Sequence, residues 1–217
     1  MQTNKFSKEA AAILIKIGAI TIKPNDPFTL TSGRKSPVYV DCRRIISFTK
    51  ERKRLMEMAV CILKSSKNEI NFDAIAGGET AGIPFAAWIA ELMNLPMIYV
   101  RKKPKGFGKN KRIEGLIKPK QNILLVEDLA TDGGSKISFI NAIRDTGANC
   151  NICFVIFHYG IFQKSIDLLK SENIKLVELV TWKDILDVLK EQGMNDSDHK
   201  KVKSFLKDPD SWQNSIS

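Results

Sequence analysis

Two adjacent carboxylates and the polar loop behind them form the part of the chain best suited to chemistry. Glu127 and Asp128 come directly after residues 123–126, an apolar run with the length and composition of a buried strand. A polar loop with two glycines follows and leads into a helical pattern. The loop comprises Thr131, Asp132, Gly133, Gly134 and Ser135. We therefore expect a strand, an acidic pair, a glycine-bearing loop and a helix, in that order.

Such a loop is suited to bind a phosphate group. At the start of a helix, backbone N–H groups and hydroxyls can point at an anion, and glycine lets the backbone approach it closely. The carboxylates would repel a phosphate, but they can accept hydrogen bonds from a sugar diol or help to hold Mg²⁺. Both uses fit a phosphorylated ribose. The alternative is a purely structural role, in which a sheet edge is followed by a polar turn and Ser135 or Asp132 caps the helix.

A second glycine-bearing loop and a basic segment lie upstream. Residues 77–82 (GGETAG) follow a short apolar run and precede a helical pattern, which is typical of a loop between a strand and a helix. Residues 101–115 (RKKPKGFGKNKRIEG) carry seven basic residues and one acidic residue. Proline and glycine interrupt any helical or strand periodicity in this segment. This segment is a candidate lid over a diphosphate. It could also be a solvated loop or a nucleic-acid patch, although Phe107 alone could stack on a base.

The elements needed to position these loops alternate between strand and helix. We predict strands within residues 19–23, 38–40, 73–76, 96–100, 123–126, 152–157 and 176–180. We predict helices within residues 6–17, 50–64, 84–93, 137–143, 166–169 and 182–190. This alternation predicts an α/β fold, a mainly parallel sheet flanked by helices on both faces.

Length, charge and cysteine content indicate the general class of protein. The 217 residues predict a single domain, with an N-terminal hood segment at about 1–45 and a polar C-terminal tail at about 193–217 that frays except for a turn at 202–206. The net charge of +10 suits nucleic acid or polyanionic substrates equally well. The apolar runs are too short to cross a membrane. Four cysteines without a secretion signal indicate the cytoplasm, and Cys150 and Cys153 are interpreted as core residues.

At this point a resemblance becomes clear. The sequence VEDLATDGGS at residues 126–135 resembles the phosphoribosyl-diphosphate-binding motif of the type I phosphoribosyltransferase family. The sequence FTLTSGRKSPVYVD at residues 28–41 is similar to the segment that covers base and ribose in the orotate-using members, and the likeness spans residues 28–160. The resemblance implies transfer of 5-phosphoribosyl from its 1-diphosphate to orotate, which yields orotidine 5′-phosphate and diphosphate for pyrimidine synthesis.

The resemblance also implies roles for particular residues. It assigns catalysis to Asp128, Glu127, Lys105 and Arg101. It assigns substrate binding to Arg101, Lys102, Lys105, Phe107, Glu127, Asp128, Leu129, Ala130, Thr131, Asp132, Gly133, Gly134 and Ser135, with Thr131 also near the orotate. Mg²⁺ is implied as the cofactor, held mainly by the substrate and by no protein ligand. The implied assembly is a homodimer with shared active sites, and neither nucleic acid nor membrane is expected as a partner.

The chain departs from the family pattern at three places. Ala81 stands where some relatives carry a lysine, and Phe107 stands where many carry a histidine. Some relatives also place an arginine near the position of Tyr159, where this chain has none, and His158 is expected to be a hydrogen-bonded loop residue. The alternatives are a phosphoribosyltransferase for another base and an RNA-binding regulator that shares the fold.

Overall fold

The computed structural model describes residues 5–30, 33–65, 71–104, 112–131 and 134–215. The strands are β1 (Ile20–Ile22), β2 (Phe28–Thr29), β3 (Lys35–Ser36), β4 (Val38–Val40), β5 (Ala74–Gly78), β6 (Met97–Val100), β7 (Ile113–Glu114), β8 (Asn122–Ala130), β9 (Asn149–His158) and β10 (Lys175–Thr181). The helices are α1 (Ser7–Lys16), α2 (Thr49–Leu63), α3 (Gly82–Met93), α4 (Gly134–Arg144), α5 (Gln163–Ser171), α6 (Trp182–Glu191), α7 (Asp196–Lys207) and α8 (Pro209–Ser215), with a 3-10 helix at Cys42–Ser47.

The central sheet has the strand order β10-β9-β8-β5-β6-β7. Its neighbouring strands are parallel, except that β7 returns antiparallel to β6. From β5 the chain first adds β6 on one side and later adds β8 on the other. The order therefore reverses between β5 and β8, and at such a point the loops behind two adjacent strands diverge and leave a crevice. The predicted mainly parallel α/β sheet is confirmed.

The sheet is apolar on both faces because helices cover both. Leu124 and Leu125 are both fully buried, yet they belong to different core clusters, as expected for consecutive residues of a strand. The first cluster includes residues of α1, α2, α3 and α6, whereas the second includes residues of α4 and α5.

Within the hood segment, the strands form two small antiparallel ribbons. β1 pairs with β4, and β2 pairs with β3 as a short hairpin. Gly18 has a φ of +69°, which lets the chain turn between α1 and β1. The predictions of a helix at residues 6–17 and of strands at 19–23 and 38–40 are confirmed by α1, β1 and β4.

The C-terminal region differs from its prediction, because it folds into α7 and α8 instead of fraying. Val202, Phe205 and Trp212 are buried and belong to the first core cluster. The side chain of Asn195 accepts a hydrogen bond from the backbone N–H of Asp198 (2.8 Å), which caps α7. The expectation of a frayed tail was wrong because a few apolar residues on one face are enough to anchor a polar helix.

Candidate active site

The acidic pair lies inside a strand rather than behind one. β8 continues four residues past the predicted end at 126, because β9 extends alongside it and pairs Ala130 with His158. Side chains alternate along a strand, so Glu127 and Asp128 point to opposite faces of the sheet. Glu127 is only 6% exposed, whereas Asp128 lines an open cavity. The two carboxylates therefore have different surroundings and cannot play identical roles.

The first glycine loop, at residues 77–82, lies directly against Glu127. A Cβ atom placed on Gly78 or on Gly82 would collide with Oε1 of Glu127. Oε1 of Glu127 has no hydrogen-bond partner among the described residues. The glycines are thus needed because loop and carboxylate approach closely, in addition to any need for a tight turn.

Burial and nearby charges set the protonation of the acidic pair. Desolvation raises the pKa of Glu127 to about 8, although Lys136 and Lys102 act to lower it and Asp128 adds to the rise. Nζ of Lys136 lies 3.8 Å from Oε2 of Glu127, and both side chains are buried. Burial also raises the pKa of Asp128, against the effects of Lys136, local backbone N–H groups and Arg43. The sequence interpretation did not identify Lys136.

The polar loop behind β8 is described in part. Thr131 and Leu129 line the cavity, while Ala130 is buried and its carbonyl accepts a hydrogen bond from the N–H of Tyr159 (2.9 Å). Gly134 and Ser135, which were predicted as loop residues, are the first two residues of α4, so the helix starts earlier than expected. The remaining two loop residues assigned from the resemblance, Asp132 and Gly133, lie outside the described residues.

The base of the basic segment is fixed by hydrogen bonds. The N–H of Arg101 donates to the carbonyl of Arg112 (2.8 Å), and Nε of Arg112 donates to the carbonyl of Arg101 (2.9 Å). The N–H of Lys102 donates to Oε2 of Glu79 (2.7 Å), which links the segment to the first glycine loop. The guanidinium of Arg101 lies 3.6 Å from Glu114.

Not every basic-segment residue assigned from the resemblance can be placed. Lys105 and Phe107 lie outside the described residues. The positive charge of Lys102 lowers the pKa of Glu127 against the effect of burial, so Lys102 is close enough to influence the acidic pair. Arg101 instead forms an ion pair with Glu114 across the β6–β7 hairpin. Of these cations, Lys102 therefore has the clearest electrostatic link to the acidic pair.

A cavity of about 530 Å³ opens between the hood segment and the ends of β8 and β9. Asp128 and Thr131 line it, as does Asp41, whose carboxylate pairs with Arg43 (2.8 Å). Aromatic and cationic side chains also contribute to the lining. The aromatic members are Tyr39, Tyr159, Phe162 and Phe205, and the cationic members are Arg34, Lys35 and Arg43. A flat, negatively charged molecule fits this combination, because rings pack on aromatic faces and anions pair with the cations.

His158 is the last residue of β9 and not a loop residue as expected. It is 3% exposed, and Nδ1 has no hydrogen-bond partner among the described residues. Burial, reinforced by Lys136, lowers the pKa of His158 to about 4. The imidazole is therefore neutral near pH 7, which does not suit a role as a cationic catalyst.

Comparison with known proteins identifies the family. A protein from Cereibacter sphaeroides described as orotate phosphoribosyltransferase is 51% identical over 211 residues, which are 96% of this chain and 90% of that protein. The chain belongs to the orotate phosphoribosyltransferase family. A Ruegeria orotate phosphoribosyltransferase is 48% identical over 96% of the chain and 93% of its own length. The crystal structure of orotate phosphoribosyltransferase from Aeropyrum pernix matches with a TM-score of 0.70 and 31% identity, covering 84% of this chain and 99% of that one.

No model in a scan of protein families matches the chain. The family inferred from VEDLATDGGS and FTLTSGRKSPVYVD is nevertheless confirmed by the relatives above, and the type I phosphoribosyltransferase fold is confirmed with it. Within the described ranges, no helix is both long and apolar enough to cross a bilayer. The same ranges contain no cluster of three or more histidine, cysteine or acidic side chains that could hold a metal ion.

Proposed function

We propose that this chain transfers 5-phosphoribosyl from 5-phospho-α-D-ribose 1-diphosphate to orotate, with release of diphosphate and formation of orotidine 5′-phosphate in pyrimidine synthesis. The observation that carries the proposal is the cavity over Asp128 and Thr131. It places an acidic strand end and a helix start next to a pocket suited to a flat anion. Orotate is such a molecule, and the family of the chain is named for it.

The reaction breaks the bond between ribose C1 and the diphosphate and forms a bond between C1 and a ring nitrogen of orotate. Positive charge develops at C1 in the transition state, as in glycoside hydrolysis. Asp128 would accept a hydrogen bond from a ribose hydroxyl and stabilise that charge, and Glu127 would do so from beneath the first glycine loop. Thr131, Gly134 and Ser135, together with Asp132 and Gly133, would bind the 5′-phosphate at the start of α4.

The leaving diphosphate carries several negative charges that must be neutralised. Lys102 and Lys105 of the basic segment would provide this, and Arg101 would join them once it exchanges Glu114 for the diphosphate. Phe107 would help to exclude water when the segment closes. The segment is well placed for this task, because Glu79 ties its start to the first glycine loop.

The carboxylates in the crevice also fit Mg²⁺, which prefers oxygen ligands. Asp128 would help to hold the ion, and the resemblance implies that the oxygens of the substrate supply most of its ligands. The ion would stabilise the negative charge of the diphosphate. We further propose that the enzyme is a homodimer that works in the cytoplasm. The location agrees with four cysteines that are all free thiols.

The test is to incubate the purified chain with donor and Mg²⁺ and with orotate, uracil, hypoxanthine, guanine or adenine in turn, and to measure diphosphate release. We expect release with orotate alone. Asp128→Asn keeps the shape and removes the charge, so it should lower kcat by about a hundredfold or more. Release with another base and not with orotate would contradict the proposal, and full activity of Asp128→Asn would contradict the role of the acidic strand.

A further inference from the structure

We propose that the C-terminal helix α8 acts as a brace that fixes the β2–β3 hairpin over the cavity, and that the C-terminal segment thereby determines how tightly the base is bound. This inference rests on the proposed function, since it treats the cavity as the orotate site. It assigns a positioning role to Asp210 and Gln213, which lie far from the acidic strand in the sequence.

Two polar contacts join α8 to the hairpin. The guanidinium of Arg34 forms an ion pair with the carboxylate of Asp210. The backbone N–H of Lys35, the first residue of β3, donates to Oε1 of Gln213 (2.8 Å). Arg34 and Lys35 both line the cavity, so α8 contacts the side chain of one cavity cation and the backbone of another.

The base of the brace is anchored in the core. Trp212 is buried and packs edge-on against Phe205 of α7, with ring centroids 5.2 Å apart. Asp208 accepts hydrogen bonds from the N–H and the hydroxyl of Ser211, which fixes the start of α8 (3.0 and 2.6 Å). A further contact joins Lys201 of α7 to Asn25, just before β2. The C-terminal helices therefore contact the chain both before β2 and at the start of β3.

The C-terminal helices also form part of the cavity itself. Phe205 of α7 and Pro209 of α8 line it together with residues of the hairpin and of β8. An aromatic ring and a proline give this wall a flat, rigid, apolar surface. A planar base would then lie between this wall and the hairpin, with its carboxylate near the held cations. The ribose and diphosphate of the donor instead face the strand ends.

This geometry predicts that the two substrates respond differently when the brace is removed. The base loses a positioned wall and two positioned cations, whereas the donor keeps the acidic strand, both glycine loops and the basic segment. The brace contacts are exposed, so each contributes modestly and the two together give about a fivefold to tenfold effect.

The experiment compares the wild-type chain with the double variant Asp210→Ala/Gln213→Ala, which removes both contacts and leaves Trp212 and Phe205 in place. The expected result is a rise of about fivefold to tenfold in KM for orotate, with KM for the donor and kcat changed less than twofold. Asp210→Glu keeps the charge and should retain most of the wild-type KM. The control is Glu191→Ala, which removes the exposed ion pair with Lys8 between α6 and α1 and should change neither KM.

The possible outcomes distinguish a failure of this inference from a failure of the proposed function. A wild-type chain that forms no orotidine 5′-phosphate would overturn the proposed function, and this inference with it. An active wild type whose double variant has an unchanged KM for orotate would overturn the brace alone. So would equal rises in both KM values, or the same loss in Glu191→Ala, because these would indicate a general loss of stability rather than a positioning role. Melting temperatures of all variants accompany the kinetics.

Discussion

Glu127 and Lys136 are buried beside each other in the candidate site, and we expect this pair to make activity depend on pH. The carboxyl of Glu127 has a pKa of about 8, above its ordinary value, because burial outweighs the effect of Lys136. Its carboxylate form, which the proposed role requires, thus increases as the pH rises through that pKa. We expect the acid limb of kcat/KM for the donor to lie in this range, since that parameter reports groups of the free enzyme.

Removing the lysine charge should move this limb in a defined direction. Lys136→Met keeps most of the buried volume and removes the cation that lowers the pKa of Glu127, so the limb should move to higher pH. Each further rise of one in the pKa of Glu127 should lower kcat/KM at pH 7 by about tenfold, and activity should recover partly toward pH 9. The other groups facing the carboxylate, Lys102 and Asp128, remain unchanged.

Glu127→Gln provides the matched background for this measurement. If Lys136 acts through Glu127, adding Lys136→Met to Glu127→Gln should cost little more. A Lys136→Met variant with an unchanged pH profile and a uniform loss at every pH would contradict the prediction, and would indicate that the lysine contacts phosphate directly.

His158 gives a contrasting prediction at the same scale. Its pKa of about 4 keeps it neutral, so it contributes no titration to the rate between pH 6 and 9. We expect His158→Gln to retain kcat within about threefold and to leave the pH profile unchanged, because it preserves a polar buried side chain. Rate measurements across that pH range check this. If a folded variant lost one limb of the pH–rate profile, this would show that His158 replaces the histidine missing at the position of Phe107.

At the scale of elements, we expect the close approach of β5 and β8 to be sensitive to mutation. A Cβ on Gly78 would collide with Glu127 and would come within 2.7 Å of the Phe139 ring on α4. Gly78→Ala should therefore lower the unfolding free energy by about 1–3 kcal/mol and reduce kcat/KM strongly, because Glu127 must move. The measurements are thermal unfolding and steady-state kinetics.

Gly134 is the matched control for the folding part of that prediction. It is the first residue of α4, and a Cβ there would meet no atom of the described residues within 4 Å. Gly134→Ala should keep its melting temperature. Equal stability of the two variants would show that the loop around Gly78 can move away from the carboxylate at no cost.

The sequence predicted the elements of the sheet well, because buried parallel strands are short apolar runs and their helices follow the 3.6-residue period. It missed β7 and the extension of β8 to Ala130. Both depend on a neighbouring strand, β6 in one case and β9 in the other, and pairing across the sheet leaves no local signal. The C-terminal helices were missed for a different reason, since polar composition masked the spacing of Val202 and Phe205.

In the candidate site too, residues with a local sequence signal were predicted and others were missed. The acidic pair and the glycine loops were found because they carry a local motif. Lys136 had a signal that could have been read, because it lies four residues before Ile140 and seven before Ile143, on the apolar face of α4. A lysine on such a face requires a buried partner. The cavity residues Phe205 and Pro209 could not be assigned without the structure, because the C-terminal helices bring them to the hood segment from a distant part of the chain.

At the scale of the whole molecule, the basic segment raises the question of which subunit it serves. In the family that the chain resembles, this segment reaches into the neighbouring site, so we propose that Lys105 serves Asp128 of the partner subunit in a twofold dimer. An interface at this point would also exclude water from the diphosphate. The two substitutions Lys105→Ala and Asp128→Asn can separate this arrangement from one in which each chain completes its own site.

Each variant alone should be nearly inactive, whereas unfolding and refolding the two together should restore activity. Random pairing makes about half of the dimers mixed, and each mixed dimer has one site built from an intact basic segment and an intact acidic strand. About a quarter of the wild-type activity should therefore return. If the segment serves its own chain, every site keeps one of the two substitutions and no activity returns. Mass spectrometry of the intact dimers checks that mixed species are present. If they are present and the mixture is inactive, the shared site is refuted.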